Sequence, residues 1–165
     1  MSRDLWSQVL KKLEEHNYME GVNRSQERVS ASAEVFTPSS LVLEILQYLD
    51  LKLLAPGKTV LDPACGDGQF LVAAKWIKVY KFKMDEQSAL QELFGVDIMR
   101  DNVDVCLSRL GGGKIIMGNS LNPAEKLRGQ TASEYKTINQ WFASSTYGSS
   151  DYVPTRKRKT TQGTS

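Results

Sequence analysis

Residues 59–70, Thr-Val-Leu-Asp-Pro-Ala-Cys-Gly-Asp-Gly-Gln-Phe, restrict the fold of this chain more than any other stretch. Thr59, Val60 and Leu61 favour a strand that ends at Asp62. Pro63 cannot donate to a sheet ladder, two glycines follow, and Phe70 opens an apolar helical run. The stretch therefore reads as strand, tight loop and helix. Gly66 and Gly68 permit positive φ and close approach of a ligand, and the first amides of the next helix aim at the same place, where they favour a carboxylate or phosphate. Asp62 adds a fixed acceptor at a strand's carboxyl end, where open α/β sheets take their ligands. Gly68 is expected to be bare for the ligand's sake, so that a side chain there blocks binding and leaves the fold intact.

The rest of the chain continues this alternation. Phe70, Leu71, Ala73, Ala74, Ile77 and Tyr80 extend the first helix, and a second helical piece begins at Asp85. Lys75, Lys78, Lys81 and Lys83 around them read more readily as a solvated helix face than as phosphate contacts. Residues 93–98 form a short apolar strand with Asp97 at its end. A carboxylate there can accept the ribose hydroxyls of an adenosine-containing cofactor, although Asp97 also suits a turn. Its distance from the glycines, about 30 residues, exceeds the usual ~20 of dinucleotide folds because the second helical piece intervenes. A helix over residues 101–110, with Val103, Leu107 and Leu110 inward, ends at Gly111-Gly112-Gly113, and a third strand and loop occupy residues 114–121. The expected fold class is α/β, Rossmann-like, with a three-stranded parallel sheet in the order 3-2-1 between flanking helices.

Upstream, Leu5, Trp6, Val9, Leu10 and Leu13 recur at helical spacing over residues 5–19, a stripe that suits the domain's own core or a partner. His16, the single histidine, sits among charges and reads as solvated. Pro38 suits the first turn of a helix capped by Thr37, with Leu41, Val42, Ile45, Leu46 and Leu49 as its buried stripe. Phe36 just before it can act as a hydrophobic staple. Three parts follow: an amphipathic helix and loop over residues 1–30, a ligand-binding domain over 31–145, and a flexible basic tail over 146–165.

Asp-Pro-Ala-Cys-Gly-Asp-Gly-Gln-Phe resembles the Asp-Pro-x-Cys-Gly-x-Gly-x-Phe signature of the S-adenosylmethionine-dependent N6-adenine DNA methyltransferases. Phe36-Thr37-Pro38 upstream resembles a second motif of that family, in the family's order. The chain is also similar to small phage-encoded methyltransferase-like proteins. The resemblance implies a partial methyltransferase fold, S-adenosylmethionine as cofactor and adenine in DNA as methyl acceptor. It assigns the methionine moiety to Phe36, Gly66 and Gly68 with Asp62 positioning the amino acid end, the ribose to Asp97 and the adenine to Asn119, and it counts Thr37, Pro63, Ala64, Cys65, Phe70 and Ile98 among the cofactor-binding residues. As a bare residue before Pro123, Asn119 is equally a turn-former.

The resemblance covers about half the chain, from Val35 to Leu121. The family's Asn/Asp-Pro-Pro-Tyr/Phe segment is missing from the 165 residues, and Asn122-Pro123-Ala124-Glu125 has neither its second proline nor its aromatic. Without a fourth strand the first strand has an open edge, which the helix over residues 135–142, the amino-terminal helix or a second protein chain must cover. Thr131 and Glu134 form a capping box at the start of that later helix. The net charge of +2 is too small to imply nucleic acid by itself. Arg156, Lys157, Arg158 and Lys159 carry four positive charges, so attraction to DNA is concentrated in the tail. Cys65 and Cys106 lack the spacing of a disulfide framework or zinc site, which fits a reducing cytoplasm. No apolar run reaches membrane-spanning length, and the first residues are charged where a signal peptide is apolar.

Overall fold

The computed structural model describes residues 3–15 and 37–143. Phe36, His16 and the basic residues Arg156, Lys157, Arg158 and Lys159 lie outside them. Among the described residues the chain runs α1 (Arg3–Glu14), α2 (Ser39–Gln47), a 3-10 turn (Leu51–Leu54), β1 (Val60–Asp62), α3 (Gln69–Phe82), α4 (Glu86–Gln91), β2 (Leu93–Asp97), α5 (Arg100–Leu110), β3 (Lys114–Met117) and α6 (Ala132–Ala143). The strands form one parallel sheet with β2 in the middle, the expected 3-2-1 order.

Parallel pairing places Val60 beside Leu93, Asp62 beside Gly95 and Ile115, and Asp97 beside Met117 on one face of the sheet. That face and the helices α1, α2, α3 and α5 enclose the main core, which includes Val9, Leu13, Val42, Leu71, Ile77, Leu93, Val103 and Ile115. Val96 and Ile116 point to the opposite face, where Ile138, Trp141 and Phe142 of α6 cover them, and Trp141 meets Phe94 edge-on at 5.4 Å. The α/β class and the three-stranded sheet between helices are as expected. Gly95 explains how α3 comes so close to the sheet, because a Cβ there would lie 2.9 Å from Leu71 and 3.1 Å from the Cys65 sulfur.

The amino-terminal helix packs into the chain's own core, with Val9 and Leu13 fully buried against α3. Neither candidate helix covers β1. α1 lies on α2 and α3, and α6 lies on β3. Among the described residues β1 has no strand on its outer side, and Leu61 beside that edge is 44% exposed.

Two expectations need correction. α2 buries Val42, Leu43 and Leu46, while Leu41, Ile45 and Leu49 face outward. Apolar residues stand at 41, 42, 43, 45 and 46, so two stripes were possible, and contact with α1 and α3 selects the other one. The helix start differs too, since Pro38 is the cap residue and no side chain, Thr37 included, caps the helix.

The second correction concerns Lys75 and Lys78, which are buried and do not form a solvated face. α3 is enclosed nearly all round, so these ammonium groups find partners inside the fold. Lys78 donates to the Leu54 and Lys58 carbonyls at 3.1 and 2.8 Å and to the Glu92 carboxylate, which satisfies its three N–H groups. Glu92 also accepts from the Gly57 amide at 2.6 Å, so the buried Lys78 and the half-buried Glu92 tie the approach to β1 to the start of β2. Lys75 donates to the Leu110 carbonyl at 3.0 Å and pairs with Glu86 at 2.8 Å.

Candidate cofactor site at the carboxyl ends of the strands

The chain leaves β1 through an Asx turn, in which the Ala64 amide donates to Asp62 Oδ1 at 3.1 Å. It then crosses the end of β2, where the Cys65 amide donates to the Val96 carbonyl at 2.9 Å. Gly66 and Gly68 take φ of +53° and +89°, and the Gly68 amide closes the turn on the Cys65 carbonyl at 2.8 Å. Gly68 is the cap residue of α3. The amides of Gln69 and Phe70 lie in the first helical turn, where the helix itself supplies no acceptor.

Asp97 lies where expected, at the end of β2 and nearly buried. Its Oδ2 accepts from the Gly66 amide at 3.0 Å, and its Oδ1 accepts from the Met99 amide at 2.8 Å and Asn102 Nδ2 at 3.1 Å. A carboxylate offers about four lone-pair positions, so three donors leave capacity for a ligand hydroxyl. The end of β3 joins the same cluster. Ser120 Oγ donates to the Pro63 carbonyl at 2.7 Å, and the Gly118 amide donates to the Asp97 carbonyl at 2.9 Å.

Asp62, Pro63, Ala64, Cys65, Gly66, Gly68, Asp97 and Ile98 thus meet at one end of the sheet. Burial pushes the Asp62 carboxyl above its ordinary range, the Ala64 amide opposes this, and the charge of Asp97 adds to the rise. Two carboxylates that repel each other at a ligand site favour a cationic ligand group. Pro63, Ala64 and Ile98 are exposed around them.

Other expected residues stand differently. Phe70 is half-buried against the main core. Contact with the Cys106 thiol, followed by burial, pushes the Cys65 thiol up, so it stays protonated and is no nucleophile. Asn119 is fixed within its own turn, where Oδ1 accepts from the Leu121 and Asn122 amides at 3.0 and 3.1 Å while Nδ2 donates to Glu125 at 2.7 Å. Gly68 is not bare for a ligand alone. A Cβ there would stand 2.5 Å from the Cys106 sulfur, so α5 itself requires the glycine.

Two supporting residues were not foreseen: Asn102 holds Asp97, and Arg109 holds the loop from behind. Glu134, expected as a helix cap, also joins α6 to the sheet. Arg109 Nη1 lies 2.7 Å from the Asp67 carboxylate, a pair almost wholly shielded from water. Asp67 was the one hint in the sequence, because an acidic residue inside a tight loop requires a partner if it turns inward. Glu134 closes the expected capping box with Thr131. It also takes a fork from Arg100 at 2.8 and 2.6 Å and the Met117 amide at 3.1 Å. Burial works to raise its pKa, but Arg100, Thr131 and the Met117 amide together hold it at about 2.

A model of the family described as N-6 DNA methylase matches residues 20–144. The chain belongs to the N-6 DNA methylase family. No curated protein and no solved structure matches it. The family match spans every described element from α2 to α6, and so takes in the glycine loop, Asp97 and the Arg100–Glu134 pair. Within this methylase-like domain the resemblance carried by Asp-Pro-Ala-Cys-Gly-Asp-Gly-Gln-Phe therefore reflects membership of the family. No helix among the described residues is long and apolar enough to cross a membrane.

Proposed function

We propose that the chain binds S-adenosylmethionine across the β1–α3 loop and the end of β2. It would serve as the cofactor half of an N6-adenine DNA methyltransferase whose acceptor-binding half lies on another chain. The observation that carries this reading is the 3.0 Å hydrogen bond from Gly66 to Asp97, which brings the glycine loop and the ribose-type carboxylate into one site. Family membership supports it.

The donor and acceptor set fits the cofactor. Asp97 retains an acceptor position for a ribose hydroxyl. Asp62 and Asp97 favour the positive amino and sulfonium groups, the α3 amides favour the carboxylate, and exposed Ile98 offers an apolar shelf for the adenine. When bound, S-adenosylmethionine supplies an electrophilic methyl group on a sulfonium. The residues of this chain orient it and leave it accessible at the carboxyl ends of the strands. They supply no Asn/Asp-Pro-Pro-aromatic segment to hold an adenine amine in line, and such positioning accounts for roughly 7–11 kcal/mol of a barrier. A fourth strand from a partner chain, added at the open edge of β1, would cover Leu61 and bring that segment beside the loop. The basic residues of the tail would add salt-sensitive contact with DNA phosphates.

A second reading is cofactor binding or protein interaction without transfer. It is favoured by the engagement of both ends of the Asn119 amide in a local turn.

Calorimetry with S-adenosylmethionine tests the first reading. Asp97→Ala should weaken binding by about 1.5–3 kcal/mol, the range for a hydrogen bond to a charged group. Equal affinity in wild type and variant, or no binding by either, refutes the site. Incubation of the pure chain with methyl-labelled cofactor and unmodified DNA should give no N6-methyladenine. Label transferred by wild type and lost in Asp97→Ala would show that no partner is needed.

A further inference from the structure

Behind the ligand side of the loop, one side chain grips the whole of residues 67–69. Arg109 comes from the last turn of α5 and its side chain is completely buried. Nη1 donates to the Asp67 carbonyl at 3.1 Å and lies 2.7 Å from the Asp67 carboxylate, and Nη2 donates to Gln69 Oε1 at 3.0 Å. The far side of the Asp67–Gly68 peptide is fixed as well, by the bond from the Gly68 amide to the Cys65 carbonyl. That peptide leads directly into α3, and its orientation sets where the first free amides of the helix point.

A guanidinium is an expensive way to fill a core position. Well-packed apolar residues of similar volume often serve stability equally well or better, whereas a buried charged fork defines geometry. Both hydrogen bonds from Arg109 end on residues 67–69, and its Nε has no hydrogen-bond partner. We propose that Arg109 is a positioning residue for S-adenosylmethionine. It never touches the ligand, and it holds the glycine loop and the start of α3 in the binding geometry from the opposite side. This role rests on the cofactor reading given under Proposed function.

The test uses the full chain as wild type, Arg109→Met and Arg109→Lys. Amide hydrogen exchange over residues 66–70 is followed by NMR, and S-adenosylmethionine affinity by calorimetry. Arg109→Met should exchange at least about tenfold faster in the loop and bind at least about tenfold more weakly, as expected when a binding group loses its placement. Protection in β2 and β3 should stay near wild type. Arg109→Lys keeps the charge but cannot span Asp67 and Gln69 together, so it should fall between the two on both measures. It also carries the test if the methionine variant fails to fold. The role is overturned if a folded Arg109→Met, or in its place a folded Arg109→Lys, matches wild type in affinity, or if exchange rises evenly through the domain instead of in the loop. A wild type that binds no cofactor sinks the cofactor reading and the positioning role together. A wild type that binds while a folded variant binds equally sinks the positioning role alone.

Discussion

Placing one methyl group on Gly68 tests why the loop carries a glycine there. Its φ of +89° disfavours any side chain, at about 1–2 kcal/mol for an L-residue in the left-handed region. The new Cβ would also lie 2.5 Å from Cys106 Sγ and 3.4 Å from Cys106 Cβ. Overpacking of a filled core typically adds about 1–3 kcal/mol. Gly68→Ala should therefore destabilise the chain by about 2–5 kcal/mol in total. Cys106→Ala removes the sulfur, so the steric part of the loss disappears in the double variant while the backbone part remains. Urea unfolding of the four proteins, followed by circular dichroism, measures the cycle. The coupling should be about 1–3 kcal/mol, the steric part, well above the ~0.5 kcal/mol within which independent sites add. Additive losses would show that α5 does not require the glycine. Full stability in Gly68→Ala would show that neither the close contact nor the left-handed backbone matters, and would return the residue to a ligand role alone.

Three further outcomes follow from the buried charges. Glu134, held at about 2 against an ordinary 4.5, has a depressed folded pKa, so its contribution is present above pH 4.5 and is lost as the pH falls toward 2. Partial exposure of Arg100 trims it to about 1–2 kcal/mol. Between pH 5 and 2, Glu134→Gln should lose less stability than wild type, and parallel curves would refute the assignment. Lys78→Met leaves the Glu92 carboxylate without its ammonium and should cost about 3–5 kcal/mol, with Glu92→Leu in the same chain restoring part of it; a variant within 1 kcal/mol of wild type in urea unfolding would count against the lock. Asp62 has a raised pKa, and a cationic ligand favours its ionised form. S-adenosylmethionine affinity should therefore drop on acidification through that raised pKa, and Asp62→Asn should flatten the drop in calorimetry. The same pH dependence in both proteins would exclude Asp62 from the site.

The front of the site was legible because it is built from short-range signals. A β-favouring run, a proline, two glycines and an acidic strand end are contiguous or nearly so, and each has a local physical meaning. The capping box of Thr131 and Glu134 was readable for the same reason. The back of the site was not. Lys78 and Arg109 look like any cation on an amphipathic helix until it is known that α3 is enclosed and that the last turn of α5 faces the loop. Which stripe α2 buries was likewise undecided by its apolar residues, because Leu41 and Leu43 flank Val42 with equal hydrophobicity. Periodicity can identify a helix, but only its tertiary partners choose between two adjacent apolar faces.

The two sides of the loop differ in how far they are determined from within the chain. On the inner side Arg109 meets Asp67 and Gln69 and Cys106 meets Gly68, while Asn102 holds Asp97, which in turn accepts from the Gly66 amide, so α5 supports the loop both directly and through β2. On the outer side burial and the nearby charge of Asp97 raise the Asp62 carboxyl's pKa, and Pro63, Ala64 and Ile98 are exposed. A loop needed only to connect β1 to α3 would gain nothing from this asymmetry, since like charges at a strand end cost stability and contribute none. Rigid support behind mutually repelling acceptors is what a preorganised site for a positively charged ligand requires, because the cost of ordering is met at folding and the electrostatic gain is left for binding.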